Sequence, residues 1–325
     1  MNSRFFFNII VRLFTHALKK DNLKNKIKSI LKKIPFFGKV YRDYVLLNEN
    51  SCHPPGHFYS PIINVQDVKK RANEIWAKVD KKSIQGVNLN VEGQLNLLAD
   101  FAEYYADLPF EDMKSEKLRY YYDNPYYGYT DAIVLYSMMR KFKPKRIVEV
   151  GSGFSSAVML DTNEMFFNNA IQLTFIEPFP DRLNSLLRKG DRDSVKVVES
   201  IVQTVDLEIF KRLEVGDFLF IDSSHVSKTD SDLNHLMFEV LPILKPGVII
   251  HFHDVFYPFE YPKNWVFSGR NWNEDYILHT FMMYNSSFSI LLFADYLHRH
   301  HQDAFAEMPL LFKNTGACMW IKKEN

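Results

Sequence analysis

The spacing of apolar residues changes along the chain. From residue 145 onward, stretches with the spacing of a strand alternate with stretches with the spacing of a helix. Short runs of β-branched and aromatic residues predict strands, and stretches with apolar residues three and four apart predict helices between them. The predicted strands are residues 146–150, 171–176, 194–198, 217–222, 247–252, 288–293 and 317–321. Strands alternating with helices indicate a parallel sheet covered on both faces. A long irregular stretch joins the last two strands, which favours an antiparallel closing pair.

The clearest predicted helix covers residues 230–244, where six apolar residues share one face and Pro246-Gly247 ends the pattern. Further helices are predicted at 65–80, at 92–107 and from about Thr130 to Lys141. The pattern divides the chain into a basic amphipathic segment (1–50), a helical and aromatic cap region (51–125) and an α/β domain (126–325). A tyrosine-rich stretch, 120–129, comes just before this last domain. We expect it to be core, with a cap over a ligand as the alternative.

Charge is distributed unevenly although the whole chain carries a net charge of only +1. Residues 1–50 hold 11 Lys and Arg against 3 acids, which is +8, so the remainder carries −7. The body therefore offers no basic surface of the size that nucleic acids need, and we exclude a nucleic-acid partner. Two cysteines, Cys52 and Cys318, suggest neither a disulfide framework nor a thiolate metal site, so a reducing cytoplasm is expected.

The first 45 residues combine apolar positions at helical spacing with many lysines. The apolar run Phe5–Val11 is too short to span a bilayer, and it lacks a small-residue cleavage site. A basic amphipathic helix at residues 1–45 predicts peripheral contact with an anionic membrane, at its inner face. A helix docked on the body or on a partner is the equal alternative. The oligomeric state stays open.

Residues 145–156 contain a β-branched strand that breaks into Gly151-Ser-Gly153 and continues as an apolar helix. Such a strand–turn–helix junction brings free backbone N–H groups towards a ligand. A dinucleotide-binding fingerprint requires a third glycine for close packing, and Ser156 occupies that position. Glu149 lies just before the turn.

Polar residues follow the other predicted strands where they end, which is the edge at which doubly wound sheets bind ligands. Glu177 ends the second strand and can accept both hydroxyls of a ribose. Asp222 and His225 follow the fourth strand, and His253-Asp254 follow the fifth. We expect these acids and histidines to meet at one rim. His251 is expected to face away from His253 and to be a buried histidine rather than a ligand.

The glycine turn with Glu149 and Ser156, Ile221-Asp-x-x-His225, and Pro246-Gly247 followed by His253-Asp254 together resemble the class I S-adenosylmethionine (SAM) methyltransferases. They are most similar to methyltransferase domain 24, whose relatives include macrocin-type O-methyltransferases. The resemblance covers about residues 120–325. It implies a Rossmann-like α/β fold with a doubly wound, mostly parallel seven-stranded sheet and an N-terminal helical extension.

The resemblance also implies a role for each matching residue. SAM would be held by Glu149, Gly151, Ser152, Gly153 and Ser156, with Glu177 on its ribose. His225 would be the general base and Asp222 a catalytic residue. A metal, Mg²⁺ or another divalent ion, would be bound by Asp222, His253 and Asp254. His253 stands where the family has an acid, which weakens a magnesium site or favours a borderline metal.

The sequence therefore predicts a SAM-dependent O-methyltransferase acting on a hydroxyl of a sugar, a glycan precursor or another small molecule. Residues 255–272 are expected to be a lid that shapes the acceptor pocket. An NAD(P)-dependent oxidoreductase is one alternative, disfavoured by Ser156. A non-catalytic, membrane-associated scaffold on the same fold is another.

Overall fold

The computed structural model of the protein describes residues 50–325 and, before them, Lys39, Arg42, Asp43, Val45 and Leu46. The predicted membrane-binding helix at residues 1–45 lies almost entirely outside the described residues. The chain forms two compact units, Met1–Lys70 and Arg71–Asn325. The domain boundaries after residues 50 and 125 stay predictions. Among the described helices, none has the length and apolar character needed to cross a bilayer.

In the described part of the second unit, seven strands form one sheet. The strands are β1 (Arg146–Val150), β2 (Gln172–Ile176), β3 (Lys196–Val198), β4 (Phe218–Ile221), β5 (Ile249–His253), β6 (Phe288–Phe293) and β7 (Cys318–Lys323). Their order is β3-β2-β1-β4-β5-β7-β6. The first five are parallel, and β7 pairs antiparallel with both β5 and β6. The predicted mostly parallel, seven-stranded Rossmann-like fold is confirmed.

The central strands β4 and β5 are buried along their whole length because both faces of the sheet are covered. Every residue of β4 and β5 is buried, as is typical of parallel strands between two helix layers. The strand order reverses direction between β1 and β4, since β2 lies on one side of β1 and β4 on the other. A crevice opens at such a switch point, beyond the carboxyl ends of the strands.

Helices fill the connections between these strands. The α-helices are α1 (Val65–Lys70), α2 (Ala72–Trp76), α3 (Val91–Tyr105), α4 (Tyr129–Phe142), α5 (Phe154–Phe167), α6 (Asp181–Leu186), α7 (Asp191–Ser194), α8 (Glu208–Lys211), α9 (Asp232–His235), α10 (Leu241–Ile243), α11 (Lys263–Phe267), α12 (Glu274–Met282) and α13 (Ala294–His300). Short 3₁₀ helices lie at Ala77–Asp80, Val202–Thr204, Gln302–Phe305 and Pro309–Lys313. The helix predicted at 65–80 is thus three shorter pieces, and that predicted at 230–244 is α9 and α10 joined by a π-helical turn at Leu236–Val240.

The β6 edge of the sheet is partly covered by α3 and by Asn90, the residue that precedes α3. The amide of Asn90 donates to the Ile290 carbonyl at 2.8 Å, and the Phe293 N–H donates to Oε1 of Gln94 at 2.7 Å. Unpaired backbone groups on an edge strand are a template for pairing with other chains. These two side chains therefore satisfy β6 groups that no further strand pairs.

Arg119 anchors the tyrosine-rich stretch to the sheet domain. Its guanidinium is buried and forms ion pairs with Asp161 at 2.8 Å, Glu164 at 2.7 Å and Asp191 at 2.7 Å. Asp161 also accepts the backbone N–H groups of Arg119 and Tyr120, each at 2.8 Å. A buried guanidinium is tolerated when its donors are satisfied in this way. The network fixes the start of the stretch against α5.

Candidate active site

The glycine turn follows β1 and touches the end of β4. Gly151 has a φ of +83°, and a Cβ placed on it would lie 1.7 Å from the carbonyl oxygen of Asp222. The Asp222 N–H donates to the Val150 carbonyl at 2.9 Å. Only a residue with no side chain fits between the two strand ends. The turn and Asp222 are therefore held against each other.

Glu177 is oriented by the backbone around the turn. Its carboxylate accepts the Ser152 N–H at 3.0 Å and the Phe179 N–H at 2.8 Å. The Gly153 N–H donates to the Ser156 hydroxyl at 3.0 Å. A carboxylate oxygen accepts more than one hydrogen bond, so Glu177 keeps acceptor capacity for a ligand while the turn fixes its direction.

Glu149 and Ser156 lie behind the turn rather than on the open crevice. The carboxylate of Glu149 is fully buried and accepts the hydroxyl of Ser155 at 2.5 Å and that of Ser156. Burial raises the pKa of Glu149 to about 8, against the opposing effect of the two serine hydrogen bonds. These residues thus support the turn through buried hydrogen bonds, away from the cavity. Their predicted contact with SAM stays a prediction.

A cavity of about 450 Å³ opens at the switch point. Eight of the predicted site residues line it: Gly151, Ser152, Gly153, Glu177, Asp222, His225, His253 and Asp254. Glu149 and Ser156 do not. The volume is within the range of small-molecule sites. Residues from the ends of β1, β2, β4 and β5 therefore meet around one space, as the strand-end argument predicts.

Two carboxylates and an imidazole converge in this cavity. Nε2 of His225 lies 3.4 Å from Oδ1 of Asp222 and 3.6 Å from Oδ2 of Asp254. One donor atom from each of the three residues lies within 4.8 Å of the others, which is a spacing suited to a metal ion. The predicted metal set had His253 in place of His225. Nε2 of His253 is 3.6 Å from Oδ1 of Asp254, outside this closest group.

The charges of the cluster shift one another's pKa values. Burial opposes the charged imidazole, but Asp222 and Glu274 outweigh it and raise the pKa of His225 well above its ordinary value. Burial alone would raise the pKa of Asp222, yet His253 and His225 hold it below the ordinary value. Burial raises the pKa of Asp254 despite both histidines. Side chains in one cleft whose pKa values are shifted in opposite directions are typical of functional sites.

Glu274 is the part of the site that sequence reasoning missed. It begins α12, is 1 % exposed, and its Oε2 lies 2.7 Å from Nδ1 of His225. Nδ1 therefore donates towards Glu274, and Nε2 faces the cavity. The available signal was its position two residues beyond the predicted lid at 255–272. Trp272 itself lines the cavity, with its ring 4.4 Å from that of His225.

The expected direction of His251 is wrong. Residues two apart on a strand share a face, and the rings of His251 and His253 are 5.8 Å apart and nearly parallel. The expectation that His251 is buried is confirmed, since its exposure is 0 %. It stacks on Phe220 at 3.8 Å and does not line the cavity. Burial lowers the pKa of His251 well below its ordinary value.

The tyrosine-rich stretch provides both core and cavity wall. Tyr120 and Tyr122 are buried in the core, Tyr126 lines the cavity, and Tyr127 is both buried in the core and part of the cavity lining. The guanidinium of Arg182 lies 3.8 Å from the centre of the Tyr126 ring, and it also lines the cavity. Most of the stretch is thus core, as expected, and a cap over a ligand stays a prediction for Tyr126 and Tyr127.

The first part of the predicted lid at residues 255–272 is core. Tyr257 and Phe259 are buried, and the Tyr257 N–H donates to Asp295 at 2.9 Å. Apolar side chains packed on the sheet domain do not swing over a cavity. From this range, Trp272 is the residue that lines it. The expectation of a lid over 255–272 is therefore wrong for the buried part.

One sequence comparison identifies a family, and a second finds a related chain. The model of a family described as a methyltransferase domain matches residues 148–255, which include the glycine turn, Asp222, His225 and Asp254. An uncharacterized protein of Archaeoglobus fulgidus is 35% identical over 165 residues, covering 50% of this chain and 73% of the relative. The chain belongs to the methyltransferase domain family. The prediction of a class I SAM-dependent methyltransferase is confirmed.

Among solved structures, the methyltransferase is similar to the SAH-bound Podospora anserina methyltransferase PaMTH1, with a TM-score of 0.40 and 16% identity over 79% of this chain and 97% of that one. It is also similar to the O-methyltransferase TomG from Streptomyces achromogenes in complex with SAM, with a TM-score of 0.39 and 14% identity over 80% and 96% of the two chains. The family assignment rests on the sequence matches. It decides against a nicotinamide oxidoreductase.

Proposed function

We propose that this methyltransferase transfers the methyl group of SAM to a hydroxyl of a sugar, a glycan precursor or another small hydroxylated molecule. The observation that carries the proposal is the convergence of Asp222, His225 and Asp254 in the cavity beside the glycine turn. Transfer to an oxygen requires a group that takes the hydroxyl proton, and these residues are of the types that do so alone or with a metal.

The cavity fits the cofactor on two observations. Glu177 is held by two backbone N–H groups in a direction that leaves acceptor capacity for ribose hydroxyls. The Ser223 hydroxyl lines the cavity, is shielded from solvent and has no hydrogen-bond partner among the described residues. A shielded hydroxyl without a partner is costly unless a ligand or water bonds it. SAM, when bound, supplies a methyl group on a sulfonium that a nucleophilic oxygen can attack.

The donor set also fits a divalent metal. Asp222 and Asp254 offer carboxylate oxygens, and Nδ1 of His253 has no hydrogen-bond partner among the described residues. We propose Asp222 and Asp254 as metal ligands and keep His225 for the proton, because one nitrogen cannot ligate a metal and accept a proton at once. His253, which lies outside the closest group of donor atoms, must shift towards the two carboxylates to be the third ligand. Mixed oxygen and imidazole donors favour a borderline ion such as Mn²⁺ over Mg²⁺. A bound ion supplies a Lewis acid that makes a hydroxyl easier to deprotonate.

His225 accepts the acceptor's proton at Nε2 in this proposal. Glu274 accepts the N–H of Nδ1, which fixes the tautomer and turns Nε2 towards the cavity. Asp222 and Glu274 raise the pKa of His225, and a cation held by Asp222 would oppose that effect. Trp272 holds the ring from one face at 4.4 Å. Orientation of this kind supplies much of the acceleration in group transfer between bound reactants.

The acceptor class is supported by the aromatic walls of the cavity. Tyr126, Tyr127 and Trp272 surround the carboxylate–histidine cluster. Aromatic rings pack against the apolar face of a sugar, while acids and hydroxyls bond its edge. The same walls suit a hydroxylated aromatic ring, which is why the proposal includes other small molecules.

The test is a transfer assay with isotope-labelled SAM, a divalent metal and a panel of sugars, nucleotide sugars and catechols. We expect label on an oxygen of at least one sugar, located by mass spectrometry and NMR of the product. SAM binding is measured in parallel by calorimetry. Label on nitrogen or carbon would contradict the proposed reaction. Transfer to catechols alone would contradict the sugar acceptor and leave the O-methyl transfer standing.

A further inference from the structure

We propose that a second cavity, far from the candidate active site, binds a neutral saccharide with Tyr284 as its stacking surface. We call it the edge cavity and define it by Asn88, Tyr284, Asn285, Ser286, Ser289 and Lys322. Its volume is about 620 Å³, within the range of small-molecule sites. The inference concerns binding and does not depend on the proposed methyl transfer.

The edge cavity lies at the opposite end of the sheet from the catalytic cluster. β6 runs parallel to β5, because both pair antiparallel with β7. Phe288 and Ser289, which line the cavity, are the first residues of β6. Asp254 follows the last residue of β5, so the two sites are separated by the length of a strand. A ligand in the edge cavity is therefore not an acceptor in the reacting position.

Tyr284 is presented to solvent by a strained backbone. The side chain is 80 % exposed, and the residue has a φ of +56°, in the left-handed region. Its N–H donates to the carbonyl of Gly86 at 2.7 Å. A bulky residue rarely adopts this conformation, and it persists where the surroundings impose it, often at binding sites. The strain places a large, partly apolar ring where it gains little from burial.

The ring of Tyr284 packs on Gly86. Its φ is +80°, and a Cβ built on it would lie 3.0 Å from Cζ of Tyr284. The ring thus rests directly on the glycine backbone, which any larger residue would disturb. With one side supported and most of its surface exposed, the Tyr284 ring is a fixed platform. A fixed ring loses little conformational entropy when a ligand stacks on it.

The remaining lining combines apolar side chains with polar groups whose charge is compensated. Nζ of Lys322 lies 3.0 Å from Oε1 of Glu324, which also accepts the Ser289 hydroxyl at 2.5 Å. Asn285 and Ser286 add an amide and a hydroxyl. A compensated ion pair gives no net attraction for phosphate or carboxylate, whereas amides and hydroxyls both donate and accept. A sugar matches this set, since it offers hydroxyls at its edge and an apolar C–H face for the ring.

The experiment measures binding of neutral methyl glycosides and disaccharides to the full chain by saturation-transfer NMR. We expect at least one of them to bind in the millimolar range, with its signals strongest for protons on one ring face. Tyr284→Gly should weaken that binding about five- to tenfold. Glycine suits the left-handed φ, so this variant keeps the loop. Tyr284→Trp should retain binding, because it keeps a platform.

Phe238→Ala is the matched control, since Phe238 is also an exposed aromatic residue, at 62 %, and does not line the edge cavity. It should leave saccharide binding unchanged. SAM binding should be the same in all variants, which confirms that they are folded. The proposal is overturned if no saccharide of the panel binds, if Tyr284→Gly binds as well as the wild type, or if inorganic phosphate binds more tightly than any sugar.

Discussion

Nδ1 of His225 lies 2.7 Å from Oε2 of Glu274, and both side chains are buried. The two residues are 49 positions apart, His225 in the loop after β4 and Glu274 at the start of α12. The backbone adds to this link, because the N–H groups of Asn273 and Glu274 both point to the His225 carbonyl, at 3.1 and 3.3 Å. The start of α12 thus positions the imidazole, and the imidazole faces the cavity.

Glu274→Gln should separate positioning from binding. The amide keeps the shape of the side chain but removes the charge and can present its NH₂ to Nδ1, which disfavours the working tautomer. We expect kcat to fall about 10- to 100-fold, the size of the loss when a hydrogen-bond partner that orients a metal-ligating histidine is removed. KM for SAM should stay within about twofold, since Glu274 does not line the cavity. Steady-state kinetics of the wild type and the variant measure both values.

His225→Asn measures the largest loss of kcat that Glu274→Gln can cause, because it removes the imidazole itself. Asparagine tolerates the left-handed backbone of residue 225, whose φ is +59°. We expect kcat to fall about 10²- to 10⁴-fold, the usual contribution of a general base. The double variant with Glu274→Gln should be no slower than His225→Asn alone, because Glu274 acts through the imidazole. Additive losses would show that Glu274 has a role of its own.

The sheet and most of the site were predictable from sequence for a common reason. Buried parallel strands are nearly continuous apolar runs, so their ends are visible, and the polar residues that follow them share one edge. Asp222 and His225 were found in this way. Glu274 was not, because it lies on a helix whose place beside His225 depends on tertiary packing. No local period in the sequence records that packing.

The two wrong expectations have physical causes as well. Only neighbours in sequence face opposite sides of a strand. His251 and His253 are two residues apart, so they share a face. The aromatic segment after β5 was interpreted as a lid because it is rich in aromatic residues next to a site. Aromatic side chains are more often buried, and here Asp295 accepts the Tyr257 N–H and fixes the segment in the core.

Gly151→Ala tests the contact between the turn and β4. The added Cβ would lie 1.7 Å from the carbonyl oxygen of Asp222, so the strand end must move. Gly190→Ala is the matched control, because Gly190 also has a left-handed φ, +94°, but nothing within 4 Å of a Cβ. The control should cost about 1–2 kcal/mol from the backbone alone. Gly151→Ala should cost roughly 1–3 kcal/mol more and weaken SAM binding.

Urea unfolding and calorimetric titration with SAM measure the two effects. If Gly151→Ala were no less stable than Gly190→Ala, the close approach of the turn to Asp222 would be wrong. Weakened SAM binding in a variant of that stability would show that the turn contacts SAM without contacting Asp222.

A metal requirement follows from the donor set. Chelation should abolish turnover, and added Mn²⁺ or Mg²⁺ should restore it, with Mn²⁺ the more effective. Asp254→Asn should lower turnover at least about 100-fold, since a bound cation contributes several kcal/mol to such a reaction. Asp254 has a φ of +56°, which asparagine tolerates.

Asp230→Asn is the control for that substitution, because Asp230 is an exposed aspartate with nearly the same backbone, at a φ of +59°. It should turn over like the wild type. Isothermal titration with Mn²⁺ checks the binding directly and should show a site that Asp254→Asn loses. Full activity in excess chelator would remove Asp222 and Asp254 as ligands.

Glu149 gives the protein a pH dependence of stability that is separate from the catalytic cluster. Burial raises its pKa to about 8 in the folded chain, while the unfolded carboxyl titrates near about 4.3. Between these values the folded state holds a proton that the unfolded state has lost. Stability from this group is therefore complete at low pH and declines as pH rises towards 8.

Glu149→Gln should remove this decline, because the amide fits the two serine hydroxyls without a proton to lose. The free energy of unfolding of the wild type, relative to the variant, should fall with pH by up to about 1.4 kcal/mol per unit between pH 5 and about pH 8. Urea unfolding of both proteins at a series of pH values measures the difference. A difference that does not change with pH would show that the Glu149 carboxyl is already ionised in the fold, held by Ser155 and Ser156.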